Sequence, residues 1–228
     1  MNKKTFFVTG TDTDAGKTVV TCGLLEGARM KGYKTLGLKP LSAGCEVTPD
    51  GLRNNDALEI MHAMTCELPY EQVNPAAFES PAAPHIVAEQ TNITVTLEQL
   101  TQWCKNTQTV SANITLIEGA GGWRVPINTQ HMLSALPKEL DIPVILVVGM
   151  KLGCLNHATL TAEAIMRDGI KIAGWVANRI DPDMLYYEEN LKTLHRLIPA
   201  PCLGNIPFLE PVDNARVASY LNLSILTD

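Results

Sequence analysis

No basic excess, no membrane-length apolar run and no paired cysteines occur in this sequence, and each absence removes a class of function. Lysine and arginine number 18 against 24 acidic residues, for a net charge of −6. There is therefore no basic field to draw in nucleic acid or an anionic membrane surface. No apolar run nears the roughly 18 residues of a membrane span. The stretch after Met1-Asn2-Lys3-Lys4 is too short for a signal peptide. Cys22, Cys45, Cys66, Cys104, Cys154 and Cys202 include no Cys-x-x-Cys pair. Such spacing suits neither zinc nor a disulfide framework, and the expectation is reduced, buried thiols in a soluble cytoplasmic protein. Repeats and low-complexity segments are missing too. What remains is a chain of 228 residues, 46% apolar, long enough to form one large α/β domain over residues 1–228.

The most informative stretch is Gly10-Thr11-Asp12-Thr13-Asp14-Ala15-Gly16-Lys17-Thr18. It follows the apolar run Phe6-Phe7-Val8 and opens into Val19-Val20-Thr21-Cys22-Gly23-Leu24-Leu25. Strand, glycine-bounded loop and helix is the context of a phosphate-binding loop. A helix N-terminus carries unpaired N–H groups and partial positive charge, so it attracts phosphate. Gly16 lets the backbone approach the anion, Lys17 reaches toward the β- and γ-phosphates, and the Thr18 hydroxyl suits Mg²⁺. The loop is a variant: five residues separate Gly10 from Gly16, where the common form has about four.

Short β-rich runs then alternate with helical patterns. Strands are predicted at about Thr5 to Thr9, Thr35 to Pro40, Ile114 to Ile117, Pro143 to Gly149, Ile170 to Asn178 and Cys202 to Pro207. Helices are predicted from Lys17 to Lys31 with Gly32 as the stop, Ala57 to Met64 behind an Asn55-Asp56 cap, and Thr96 to Asn106. Three more follow, at Asn156 to Arg167, Met184 to Leu197 and Asp213 to Leu223. The proline-rich stretch from Pro69 to Pro84 predicts an irregular connection with short helices. The alternation reads as a doubly wound, mostly parallel sheet with helices on both faces, in a P-loop nucleotide-binding fold.

Ligands of such sheets bind beyond the carboxyl ends of the strands. That edge collects the phosphate loop, Lys39, Glu118 with its glycines, the loop from Lys151 to Asn156, and Asn178. Glu118 closes an apolar strand, where an ionised carboxylate needs a cation to offset desolvation. Asp56 is either a second metal carboxylate or a helix N-cap. Lys39 is either a cation aimed into the crevice or an ordinary loop lysine. Asn178 has donor and acceptor geometry suited to an adenine edge, and equally that of a turn residue. Gly119, Gly121 and Gly122 permit close backbone approach.

Several long motifs in register resemble the dethiobiotin synthetase family over nearly the whole chain. They are Gly-Thr-Asp-Thr-x-x-Gly-Lys-Thr from Gly10, Gly-Leu-Lys-Pro around Lys39 and Thr-Pro-Asp-Gly-Leu-Arg-Asn-Asn-Asp-Ala around Asp56. Glu-Gly-Ala-Gly-Gly-Trp from Glu118, the stretch from Pro143 through Gly-Cys-Leu-Asn-His-Ala, and Gly-Trp-Val-Ala-Asn from Gly174 complete the set. The resemblance implies ATP- and Mg²⁺-dependent closure of a ureido ring from diaminopelargonic acid and CO₂, by way of a phosphorylated carbamate. It implies Thr18, Asp56 and Glu118 as Mg²⁺ ligands, with Asp14, Ala15, Gly16, Lys17, Thr18 and Val19 around the phosphates. Gly119, Ala120 and Gly121 would line the nucleotide, and Asn178 with Pro207, Phe208 and Leu209 would hold the adenine. Lys17 and Lys39 would flank the carbamate, with Thr13 near the diamine and Gly121 and Gly122 beside it. The family is dimeric, and Gly153, Cys154 and Asn156 would receive the substrate carboxylate of the neighbouring subunit.

One position departs from the family. A hydroxyl residue often stands three places beyond the proline after the lysine; here that place holds Ala43, with Ser42 one residue earlier. Either Ser42 takes over or the contact is absent. Two rivals share the loop architecture: a partitioning-type switch ATPase, and a related synthetase with another substrate. The first carries an additional lysine five residues before the Gly-Lys-Thr lysine, where this chain has Asp12.

Overall fold

The strand from Val144 to Met150 contains no polar side chain and is buried at every position, as a strand covered on both faces must be. In the computed structural model, which describes residues 3–227, it is one of six. They are β1 (Lys4–Gly10), β2 (Thr35–Leu38), β3 (Ile114–Glu118), β4 (Val144–Met150), β5 (Ile172–Arg179) and β6 (Cys202–Ile206). All pairings among them are parallel, in the order β6-β5-β4-β1-β3-β2. The six principal helices are α1 (Lys17–Met30), α2 (Asn55–Ala63), α3 (Leu97–Thr107), α4 (Cys154–Arg167), α5 (Tyr187–Leu197) and α6 (Asn214–Ser219).

The chain leaves β1 through α1 toward β2, then returns past β1 and continues outward to β6. Right-handed crossovers run in opposite directions therefore cover opposite faces. Helix α1 packs on α6, α2, β2 and β3, while α4 packs on α5, β4 and β5. The reversal occurs at β1, and a crevice opens there beyond the carboxyl ends of the strands. The apolar interior spans both layers, with Phe7, Leu24, Leu116, Ile145 and Trp175 all buried.

The structure moves several predicted boundaries. Strand β2 ends at Leu38, before Pro40. The cap of α2 is Asn54, whose side chain accepts from the Ala57 N–H at 3.2 Å, so Asp56 lies inside the first turn and is not the cap. Helix α4 begins at Cys154, because Gly153 at φ +93° turns the chain into it. Helix α5 begins only at Tyr187, and α6 stops at Ser219. The expected loop before α2 holds an antiparallel hairpin, Glu46–Thr48 with Gly51–Arg53. The proline-rich connection does contain short helices, Tyr70–Val73 and Pro84–Gln90.

Candidate active site

The phosphate loop is anchored before it reaches any ligand. The Thr11 N–H donates to the Val147 carbonyl at 2.9 Å, and the Gly149 N–H donates to Thr11 Oγ1 at 3.3 Å. Asp14 sits at φ +59° and Gly16 at φ +86°, which bends the chain sharply into α1. A Cβ on Gly16 would stand 1.9 Å from Asn178 Nδ2, so only glycine fits. Asn178 itself donates to the Ala15 carbonyl at 3.1 Å and braces the loop from β5. The first N–H groups of α1 lack intrahelical partners by construction and face the crevice as an anion site. Lys17 is buried, and this desolvation pulls its pKa below the usual lysine value despite the nearby Glu118 carboxylate. Its ammonium reaches back to the Asp12 carbonyl at 3.4 Å. The Asp12 carboxylate is paired with Lys151 at 3.3 Å.

Next to the loop, three chain segments meet on one cation. Lys39 follows β2 and is 3% exposed. Its ammonium donates to Asp56 Oδ2 at 2.6 Å and to Glu118 Oε1 at 2.7 Å. The Thr18 hydroxyl donates to the same Glu118 oxygen at 2.9 Å. Burial works against the Lys39 charge, yet the Glu118 and Asp56 carboxylates outweigh it and hold its pKa above the usual value. Burial likewise works against the Asp56 charge, and Lys39 reverses that effect, keeping its carboxyl below the usual range. Glu118 is fully buried, and its Oε2 has no hydrogen-bond partner. A buried carboxylate oxygen without a partner is costly unless a cation is present.

A cavity of about 800 Å³ opens above this cluster. Thr13, Asp14, Gly16, Lys17, Thr18, Val19, Lys39, Asp56, Ala120 and Gly121 border it, as does Ser42. Pro81 to Pro84, Ala43 and Val125 supply an apolar wall. The Ser42 hydroxyl is turned inward and donates to Asn74 Oδ1 at 2.7 Å, while Ala43 borders the cavity without a hydroxyl of its own.

The other predicted site residues lie away from the cavity wall. Glu118 sits beneath the floor, and Ala15 is buried within the loop. Gly119 packs where a Cβ would meet the Phe7 ring at 2.9 Å. Gly122 lies over the Gly10 and Thr11 carbonyls. Pro207, Phe208 and Leu209 follow the end of β6, with Phe208 exposed. Gly153 and Asn156 are exposed at the start of α4, and Cys154 is buried there.

Sequence reasoning overlooked Arg124, which borders the cavity. Its guanidinium meets Asp168 at 2.7 and 2.8 Å, and the Trp123 indole N–H donates to Asp168 Oδ2 at 2.8 Å. A charged residue two places beyond the glycines of a strand end, after Trp123, was the available signal. Asn54 and Glu59 also border the cavity and carry no such signal.

Hard oxygen donors on Thr18, Asp56 and Glu118, one of them unpartnered, are the chemistry that Mg²⁺ takes together with phosphate oxygens. Among the described residues no group of three or more His, Cys, Asp or Glu could hold a metal by itself. Among the described residues no helix is long and apolar enough to cross a membrane.

A family model described as an AAA domain matches residues 4–216. The chain is 51% identical to the ATP-dependent dethiobiotin synthetase BioD of Cellvibrio japonicus, with both chains covered completely. It is 49% identical to the protein of the same name from Aeromonas salmonicida, over 98% of this chain and 99% of the relative. Among solved structures, a ParA family ATPase from Chlorobium tepidum superposes with a TM-score of 0.58 at 12% identity, over 99% of this chain and 93% of that one. The MinC:MinD cell division complex of Aquifex aeolicus gives 0.57 at 14% identity, over 96% of this chain and 87% of that one. Identities that low speak for the α/β P-loop fold alone. Identity near one half along the entire chain is a different matter: this protein belongs to the ATP-dependent dethiobiotin synthetase family.

Proposed function

We propose that the chain, acting as one folding unit over residues 1–228, makes dethiobiotin from diaminopelargonic acid, CO₂ and ATP. The observation that carries this reading is the Lys39 ammonium held between Asp56 and Glu118 beside the phosphate loop. A buried cation there is suited to an anion such as a carbamate.

One amine of the diamine adds to CO₂, giving a carbamate and releasing a proton. A carbamate oxygen then attacks the γ-phosphorus of ATP, and ADP leaves. The second amine attacks the carbamoyl carbon and loses a proton, the carbon–oxygen bond to phosphate breaks, and the ring closes as phosphate leaves and takes up that proton. Nothing in this sequence calls for a covalent protein nucleophile; it calls for positioning and charge neutralisation. Lys39 stabilises the carbamate charge. Lys17, with the first N–H groups of α1, takes the charge of the transferring phosphoryl group. Thr13 borders the same cavity and orients the diamine. Asp14 to Val19, with Ala120 and Gly121, embrace the nucleotide, and the segment from Pro207 to Leu209 contacts the adenine. The cavity's apolar wall excludes water and suits an aliphatic chain. Mg²⁺ held by Thr18, Asp56 and Glu118 would neutralise charge on the β- and γ-phosphates.

A homodimer in the cytoplasm completes the proposal. Leu152 is 93% exposed, and Leu160, Leu185 and Tyr186 are exposed too, all on or beside the packed pair α4 and α5. These exposed apolar side chains are the surface the proposal gives to the partner, and Leu152 adjoins Gly153, Cys154 and Asn156, which would receive the partner's substrate carboxylate at a helix N-terminus. Growth on diaminopelargonic acid tests the reading. Expression should restore a biotin auxotroph that lacks the ring-closing step, and failure to do so despite soluble expression contradicts it.

A further inference from the structure

Behind the cavity lies a buried polar network that the phosphate loop does not use. At its centre is Asn74, which is 2% exposed. Its Nδ2 donates to the Lys39 carbonyl at 2.5 Å. Its Oδ1 accepts from the Ser42 hydroxyl at 2.7 Å and the Tyr70 hydroxyl at 2.9 Å. The preceding residue completes the hold on Lys39, whose N–H donates to the Val73 carbonyl at 2.9 Å. Both backbone polar groups of Lys39 are therefore bound by neighbouring residues, which sets the direction in which its side chain leaves the chain.

The other arm runs to Asp56. Having given its hydrogen to Asn74, the Tyr70 oxygen accepts from the Asn54 N–H at 2.7 Å. Asn54 caps α2, and Asp56 follows two residues later in the first turn. One amide thus stands between the lysine and the carboxylate that meet at 2.6 Å.

We propose that Asn74 is a positioning residue that sets the pairing of Lys39 with Asp56. The assignment rests on the ring-closing reading above for its catalytic consequence. The chemistry of the position demands asparagine. Two hydroxyls need an acceptor and a carbonyl needs a donor, and a primary amide offers both on one planar group without a change of protonation. An ionised Asp would set an oxygen against the Lys39 carbonyl and leave that carbonyl without its donor.

The test uses the full-length enzyme with lysine-selective ¹⁵N labelling. A buried, hydrogen-bonded Lys39 ammonium gives a protected NMR signal, assigned by its loss in Lys39→Met, and buried Lys17 provides an internal reference. Asn74→Asp should abolish the Lys39 signal and spare that of Lys17. In the same variant kcat for dethiobiotin formation should fall about 100-fold, the scale of a misplaced reacting group, while ATP affinity stays within about twofold. A wild-type Lys39 signal and a kcat within about twofold in folded Asn74→Asp overturns the proposal. If that variant does not fold, Asn74→Ala is measured instead: loss of the Lys39 signal supports the proposal, and retention overturns it. Wild-type protein that forms no dethiobiotin defeats the ring-closing reading alone, since the NMR signal still decides the role of Asn74.

Discussion

Lys39 Nζ stands 2.7 Å from Glu118 Oε1, and the carboxylate it meets is fully buried. Each charge offsets part of the desolvation cost of the other. Glu118→Gln keeps the shape and removes the countercharge. It should lower kcat by about 100- to 1,000-fold, as expected when a preorganised electrostatic group is lost, with the circular dichroism spectrum unchanged. Turnover within about tenfold of wild type contradicts the role given to this pair.

Lys17 is buried beside the same carboxylate, and among the described residues its ammonium has one hydrogen bond, to the Asp12 carbonyl at 3.4 Å. The proposed function gives it an incoming anion as its partner. Lys17→Gln should abolish turnover while folding is retained. A variant that fails to fold, judged by circular dichroism, would return Lys17 to a structural part.

Asp56 leaves the helix cap to Asn54 and gives its carboxylate to Lys39. Asp56→Ala should raise the Mg²⁺ concentration needed for half-maximal activity. An unchanged metal titration removes Asp56 from the metal site.

Gly16 makes a purely steric prediction. Its φ of +86° and the 1.9 Å approach to Asn178 both penalise a Cβ. Gly16→Ala should destabilise by more than about 1 kcal/mol. Adding Asn178→Ala relieves the clash but not the backbone strain, so thermal unfolding of the double variant should recover part of the loss. Strict additivity of the two substitutions contradicts the contact.

How far the sequence discloses this site depends on the kind of residue. Strand β4 is plain because seven consecutive positions are apolar or glycine, and Lys17 is plain because loop, strand and helix coincide around it. The cap of α2 is not, because Asn54, Asn55 and Asp56 are three adjacent residues of capping type and only the backbone geometry selects the first. The hairpin of Glu46–Thr48 with Gly51–Arg53 is too short for an alternation to register. Asn74 precedes Pro75 and reads as an ordinary turn; its role comes from partners at Lys39, Ser42 and Tyr70, which only the fold brings together.

The Arg124–Asp168 pair carries a pH prediction. Partial burial raises the Asp168 pKa, but hydrogen bonds from Arg124 and Trp123 outweigh it and hold the carboxyl below the usual range. A depressed carboxyl stabilises the fold fully above its unfolded pKa of about 4 and loses that contribution as pH falls through the folded value. Asp168→Asn should therefore lower Tm at pH 7 by about 2–4 °C, the equivalent of roughly 1 kcal/mol. The gap should close toward pH 3, about one unit below the unfolded pKa. A gap independent of pH contradicts the pairing.

The most direct measurement is phosphate release from Mg·ATP in bicarbonate buffer, with and without diaminopelargonic acid, followed by identification of the product. Release that depends on the diamine and yields dethiobiotin in equal amount is the result expected of a Lys39 ammonium built to hold a carbamate. Release that proceeds equally without the diamine would contradict the account and point to a nucleotide switch or another substrate, with Ala43 the first position to change.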